Sequence, residues 1–358
     1  VEELAMNSRN PDPSFWRGKR VLVTGHSGFK GGWASLWLSQ MGATVIGFAL
    51  APATRPNLFE LCDIASRVES HIGDLRNDEL LTGLVRKTQP DIVLHLGAQS
   101  LVRKSYASPL ETFAVNTLGT ANLLEAVRLA GNPAAVLVVT TDKVYENAED
   151  GRAFDENDPL GGHDPYSASK AAAEIVTRSY ARSFSNQSRI ATARGGNVIG
   201  GGDFAEDRLV PDVWRAAQAD VPVVVRYPDA IRPWQHVLDC LCGYFVFLED
   251  LAQNKPVPHA LNFAPDSART LTVRQMVERL QKSLGARRGW QQEIGAFPAE
   301  MQALKLSAAR AASSLAWRNR LNADEAVAWT MDWYRVLSAP KDIVSVTLAQ
   351  IESFAEIP

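Results

Sequence analysis

Strand-like and helix-like stretches alternate along the first half of the chain. "KRVLVTG" is a short β-branched run closed by glycine, and "GWASLWLSQMG" after it carries apolar residues at helical spacing. "ATVIGFAL", "DIVLHLGA" and "AAVLVVTT" read as further strands. Before the last of these lies "ETFAVNTLGTANLLEAVRLAG", a long amphipathic helix with Gly131 as a suitable C-cap. Strands alternating with helices imply a parallel sheet covered on both faces, and continuous apolar strands fit that burial. The expected fold is α/β, a Rossmann-type doubly wound parallel sheet with a smaller, mostly C-terminal α/β substrate-binding lobe. Ligands of such sheets sit beyond the carboxyl ends of the strands.

Three regions are expected. Residues 1–17 form a polar N-terminal arm, loose before the first strand. Residues 18–192, with parts of 229–264, form the dinucleotide-binding domain. Residues 193–358 form the substrate lobe, interleaved with the first; in it "LKLSAARAASSLAW" and "ADEAVAWTMDWYRVL" read as helices.

The 358 residues carry a formal charge of −3, which gives no reason to expect nucleic acid or an anionic membrane as a partner. No run of apolar residues is long enough to span a membrane, and the N-terminus lacks the basic start and apolar core of a secretion signal. The 3 cysteines, Cys62, Cys240 and Cys242, cannot build a disulfide framework and suggest a reducing compartment, the cytoplasm. Cys240 and Cys242 lie in the apolar stretch "LDCLCGYFVFL" without further ligands nearby, so they read as core. The histidines show no ligand spacing, and no metal is expected.

Three stretches carry chemistry. "TGHSGFKG" sets Gly25, Gly28 and Gly31 between the first strand and the first helix, where backbone N–H groups and a helix N-terminus can hold a pyrophosphate. "GGHDPYSASKAAAEIVTRSY" reads as a helix with Asp164 as N-cap and Pro165 at its first position, which puts Tyr166 and Lys170 on one face. A phenol with an ordinary pKa of about 10 is a poor base at neutral pH; a nearby ammonium and a positive nicotinamide would bring it into range. "TTDKVYEN" follows directly on "AAVLVV" and releases Thr141, Asp142 and Lys143 at a strand end, an acid beside an amine. The second strand ends "GFALAPATR" with no acidic residue for a ribose hydroxyl and only Arg55 close by, which leaves NAD against NADP open on physical grounds.

Together, TGxxGFxG, "GDL", "HLGAQS" and YSASK resemble the extended short-chain dehydrogenase/reductase family over nearly the whole chain. The resemblance implies NAD as cofactor, held by Gly25, Ser27, Gly28, Phe29, Lys30, Gly31, Asp74, Leu75, Leu96, Ala98, Tyr166 and Lys170, with Asp74 near the adenine. Within the family, the strand end separates chemistries. Epimerases carry small hydroxyl and apolar residues there, whereas hexose 4,6-dehydratases carry Thr-Asp-Glu. This chain has Thr-Asp-Lys, which with "TGHSGFKGGWASLWL", "GGHDPYSASK" and "AIRPWQHVLD" resembles the dehydratases that act on CDP-glucose.

By that resemblance Thr141 supports the C4 oxygen with Tyr166, Asp142 is the acid at C6, and Lys143 stands where a glutamate base is usual. A lysine serves as base only if burial or a positive neighbour lowers its pKa. The substrate side would use Gln99, Asn197, Arg208, Leu209, Arg226, Arg232 and His236. A guanidinium fork suits a diphosphate, and Arg232 is the choice for it; His236 reads as a structural or hydrogen-bonding residue. The resemblance implies a homodimer formed through the helices at 109–130 and 165–183, with tetramers open. The product would be CDP-4-keto-6-deoxyglucose, a deoxysugar precursor of lipopolysaccharide O-antigen. Competing readings are a dehydratase of another nucleotide sugar, an epimerase of the same fold, and a non-catalytic dinucleotide-binding regulator.

Overall fold

Seven strands build the central sheet in a computed structural model of the chain, which describes residues 8–184, 188–266, 270–295, 301, 303–337 and 342–357. They are Arg20–Thr24 (β1), Thr44–Ala49 (β2), Glu69–Ile72 (β3), Ile92–His95 (β4), Ala135–Thr141 (β5), Arg189–Gly195 (β6) and Ala260–Phe263 (β7). The order is β7-β6-β5-β4-β1-β2-β3, and every pairing is parallel. The chain runs outward from β1 to β3 and then returns to β4 on the other side of β1. That reversal opens a crevice at the carboxyl ends of β1 and β4.

Alternation along each strand explains why both faces are covered. Val21, Val23, Leu137 and Val139 enter one apolar cluster, while Leu22, Val136 and Val138 enter another. Helices Phe29–Gln40 (α1), Asp78–Thr88 (α2), Gly119–Ala130 (α3), Pro165–Ser183 (α4), Leu209–Ala219 (α5) and Val237–Ala252 (α6) supply much of the cover. Trp37 of α1 packs against Phe245 of α6 in the first cluster, which Trp33 also enters; Leu81, Leu84, Leu123 and Val127 of α2 and α3 fill the second. Residues Val237 to Leu251 of α6 are all buried, so this helix has no polar stripe. Cys240 and Cys242 lie within it, buried and free.

Two features differ from the sequence reading. The stretch 109–130 is not one uniform α-helix: Pro109–Phe113 passes into a π turn at Ala114–Leu118 before α3 begins. Such turns re-aim side chains, and here Asn116 is buried beneath the loop after β4. Nor is the described part of the N-terminal arm loose. Arg9 forms ion pairs with Glu249 at 2.7 Å and Asp250 at 2.8 Å, and fully buried Trp16 donates its indole N–H to Glu249. Residues 1–7 of the arm lie outside the described residues.

Among the described residues the remaining lobe contains three two-stranded pairs: Asn197–Ile199 with Trp234–His236, Val223–Val225 with Trp290–Gln292, and Ile231–Arg232 with Leu271–Thr272. After Trp234–His236 the chain re-enters the main sheet through α6 and β7. No helix among the described residues is long and apolar enough to cross a membrane.

Candidate active site

The glycine loop sits at the carboxyl end of β1. Gly25 has φ +78°, and a Cβ there would lie 2.8 Å from the Gly97 nitrogen. A Cβ on Gly31 would collide with the Gly25 carbonyl, so α1 can approach the loop only without one. A Cβ on Gly28 would meet only the Gly25 oxygen, at 3.4 Å, so that side is open. Gly28 caps α1 with no side-chain hydrogen bond, which leaves N–H groups of the first turn for an anion. These observations fit a dinucleotide pyrophosphate.

Around the loop, Ser27 Oγ donates to the Leu50 carbonyl at 2.7 Å, and Phe29 begins α1. Leu75 is buried against Gly97 and Gly119, while Leu96 and Ala98 are half-buried after β4. Asp74, expected at the adenine, is paired with Arg76 at 2.5 Å. The end of β2 presents Leu50, exposed and uncharged.

Thr141, Asp142 and Lys143 occupy the carboxyl end of β5 and a following 3-10 turn. Thr141 Oγ1 donates to Asp142 Oδ1 at 2.8 Å, and Lys143 Nζ reaches the same oxygen at 3.3 Å. The other Asp142 oxygen is buried without a partner among the described residues. Helix α4 enters beside them, with Asp164 accepting from the Ser167 N–H at 3.0 Å and Pro165 in its first turn. Tyr166 and Lys170 are both buried on this helix, and Lys170 Nζ donates to the Val139 carbonyl of β5 at 2.8 Å.

Burial dominates both groups. It pushes the Tyr166 phenol up to about 12; the neighbouring Thr141 hydroxyl and Arg208 guanidinium offset it only in part. Burial, then the Lys30 ammonium, lowers Lys170 to about 8, with the Glu174 carboxylate opposing. Lys30 Nζ comes within 3.9 Å of where a Cβ on Gly195 would stand.

Gln99 braces the loop after β4. Its side chain bonds Leu101 N–H at 2.6 Å and Thr112 Oγ1 at 3.0 Å, and Asn116 bonds its backbone on both sides. Asn116 also donates to Ser169 of α4 at 2.9 Å, linking the loop to the Tyr166 helix. Asn197 has a buried side-chain oxygen without a partner among the described residues. Arg208 spans from the lobe to Ser100 at 3.0 Å and Asp203 at 3.5 Å, and Leu209 opens α5. Arg226 and Arg103 both approach Asp207, at 3.4 and 2.6 Å. Arg232 is buried, with Nη1 on the Ile231 carbonyl at 2.9 Å.

His236 does not join this group. It is fully buried, accepts from the Leu238 N–H as the cap of α6, and packs with Trp33 and Trp329. Burial lowers it to about 3. Sequence reasoning missed Asn116, Arg103 and Asp207, and also a buried pair behind the site, Glu174 and Arg194. A charged residue inside the apolar strand "IATARGG" was the available signal for the last, since a buried charge needs a partner.

A doubly wound sheet, a glycine loop at its first crossover and a Tyr–Lys pair on the helix after β5 define the dinucleotide-binding class of short-chain dehydrogenases/reductases. Within that class the chain belongs to the family described as GDP-mannose 4,6 dehydratase, whose model matches residues 22–330. It is 41% identical to the CDP-glucose 4,6-dehydratase of Salmonella typhimurium, over 96% of this chain and 98% of that protein. It is 29% identical to a dTDP-glucose 4,6-dehydratase of Xanthomonas campestris, over 87% of this chain and 92% of that one. Among solved structures, dTDP-glucose 4,6-dehydratase from Bacillus anthracis in complex with NAD superposes with a TM-score of 0.76 at 21% identity, over 89% and 97% of the two chains. A UDP-glucose-4-epimerase from Stenotrophomonas maltophila with bound NAD gives 0.79 at 22%, over 90% and 100%. These two structures share the fold.

Proposed function

We propose that the chain is an NAD-dependent hydro-lyase that converts CDP-glucose to CDP-4-keto-6-deoxyglucose and water. One observation carries the reaction class: an acid and an amine, Asp142 and Lys143, in contact at the carboxyl end of β5 and beside Tyr166. An epimerase would have no task for such a pair, and a regulator would need neither it nor the Tyr–Lys pair. The identity to the Salmonella typhimurium enzyme supports CDP-glucose over other nucleotide sugars.

NAD would be held by Gly25, Ser27, Gly28, Phe29, Lys30 and Gly31, together with Asp74, Leu75, Leu96, Ala98, Tyr166 and Lys170, and would supply an acceptor for the C4 hydride and a donor for C6. The protein's residues handle the protons. Tyr166, as phenolate, takes the C4 hydroxyl proton while Thr141 holds that oxygen. Neutral Lys143 takes the C5 proton, now acidified by the C4 ketone. Protonated Asp142 gives its proton to the C6 hydroxyl, which leaves as water. Lys143 returns a proton to C5. Tyr166 has then gained one proton and Asp142 has lost one, and the Thr141 hydroxyl, bonded to Asp142, lies between them. Arg208, Arg226 and Arg232 are the cations for the diphosphate, and the unpartnered oxygen of Asn197 is an acceptor for a substrate donor.

A homodimer fits the surface: Leu110, Leu118 and Ile175 of the 109–130 and α4 helices are 84%, 55% and 52% exposed. The place of work is the cytoplasm, and the product would enter deoxysugar synthesis for O-antigen lipopolysaccharide. The reading is tested by incubating the protein with CDP-, dTDP-, GDP- and UDP-glucose and following product mass. Water loss from CDP-glucose alone is expected; water loss from another sugar overturns the cytidine assignment, and isomerisation without water loss overturns the reaction.

A further inference from the structure

Behind the catalytic strand end, one buried carboxylate gathers four hydrogen bonds. Glu174 stands on α4 one turn beyond Lys170, which is one turn beyond Tyr166, so the three share a helix face. Its Oε1 accepts from Thr140 Oγ1 at 2.5 Å and Arg194 Nε at 3.0 Å. Its Oε2 accepts from Thr192 Oγ1 and Arg194 Nη2, each at 2.8 Å. Arg194 lies opposite Thr140 in the β5–β6 register. Its Nη1 donates to the Tyr145 hydroxyl at 2.8 Å, and that hydroxyl donates to Asn262 at 2.6 Å.

Thr140 and Tyr145 are the two residues that flank the segment Thr141–Val144. A buried ion pair contributes little net stability over an apolar replacement, because both charges are desolvated. This one instead ties both ends of a short segment to the helix that bears Tyr166 and Lys170. We infer that the Glu174–Arg194 pair is a positioning device for the reaction, fixing Asp142 and Lys143 relative to Tyr166 through Thr140 on one side and Tyr145 on the other. The inference rests on the dehydratase reading. Glu174 also faces the charge of Lys170, opposing both burial and Lys30.

Two variants test it against wild type. Tyr145→Phe keeps the ring stacked on Phe154, 4.9 Å between centroids, and loses only the hydroxyl. It is expected to lower kcat about tenfold with KM for CDP-glucose within about twofold, since small misplacements of reacting groups act on kcat. Reduced dinucleotide should accumulate during its turnover, because elimination then lags oxidation. Glu174→Gln is expected to lower kcat about a hundredfold and to move the alkaline limb of its pH profile downward. Wild-type kcat and pH profiles in the variants, even with a lower melting temperature, would make the pair merely structural and overturn the inference. If Glu174→Gln does not fold, Tyr145→Phe decides alone. Absence of water loss in wild type would overturn the dehydratase reading, and the positioning role with it.

Discussion

Lys143 Nζ lies 3.3 Å from Asp142 Oδ1, so the two groups assigned to the C5 and C6 protons are in contact with each other. A proton can therefore pass between them without leaving the site. In the proposed reaction Lys143 gains the C5 proton as Asp142 gives one to the C6 hydroxyl.

Lys143→Ala removes the proposed base but leaves Tyr166, Lys170 and Thr141 in place. Product formation should fall about 10²- to 10⁴-fold, the range for loss of one acid or base. Oxidation at C4 should persist, visible as near-ultraviolet absorbance of reduced dinucleotide without water loss. Full turnover in this variant would remove Lys143 from the base role.

The glycine loop separates two substitutions. Gly31→Ala places a methyl against the Gly25 carbonyl and should prevent loop and helix from packing, with a lower melting temperature. Gly28→Ala meets only an atom at 3.4 Å, so the protein should melt near wild type. Its methyl points to the open side, and NAD affinity, measured by calorimetry, should fall at least about tenfold, or roughly 1.4 kcal/mol.

Much of this was legible beforehand. The apolar strands, the Asp164 cap, the Thr141–Lys143 stretch at a strand end and the glycine loop all follow from local pattern, because each depends on residues close in sequence. What was hidden depends on distant partners. The arm at 8–17 looks loose because the carboxylates that hold Arg9, Glu249 and Asp250, come more than two hundred residues later. The π turn at 114–118 is invisible to apolar spacing, since the Asn116 bonds to Gln99 that accompany it are tertiary. His236 reads as a structural or hydrogen-bonding residue, but the rings that bury it, Trp33 and Trp329, are distant in sequence and could not be named from it.

Arg9→Ala leaves Glu249 without its cation and Asp250 with Lys255 alone. Because Arg9 is part-exposed, the cost should be nearer 1–3 kcal/mol, about that of a charged hydrogen bond, than that of a fully buried pair. Urea unfolding should show a lower midpoint with an unchanged slope.

Asp239 gives stability a pH dependence of known sign. Burial raises its carboxyl to about 7, although the backbone N–H groups of Arg320 and Leu321 bond it. Its folded value exceeds its unfolded one, so between about 4 and 7 the native state holds the extra proton and stability falls as pH rises. Comparing wild type with Asp239→Asn by chemical denaturation across this window should show the decline weakened in the variant. Parallel curves would assign the dependence elsewhere.

The most direct measurement follows a deuterium. CDP-glucose labelled at C4 is incubated with the protein and NAD, and the product is analysed by mass and by NMR. A 4,6-dehydratase predicts loss of one water with the deuterium carried to C6. Deuterium still at C4, or a product of unchanged mass, would contradict it.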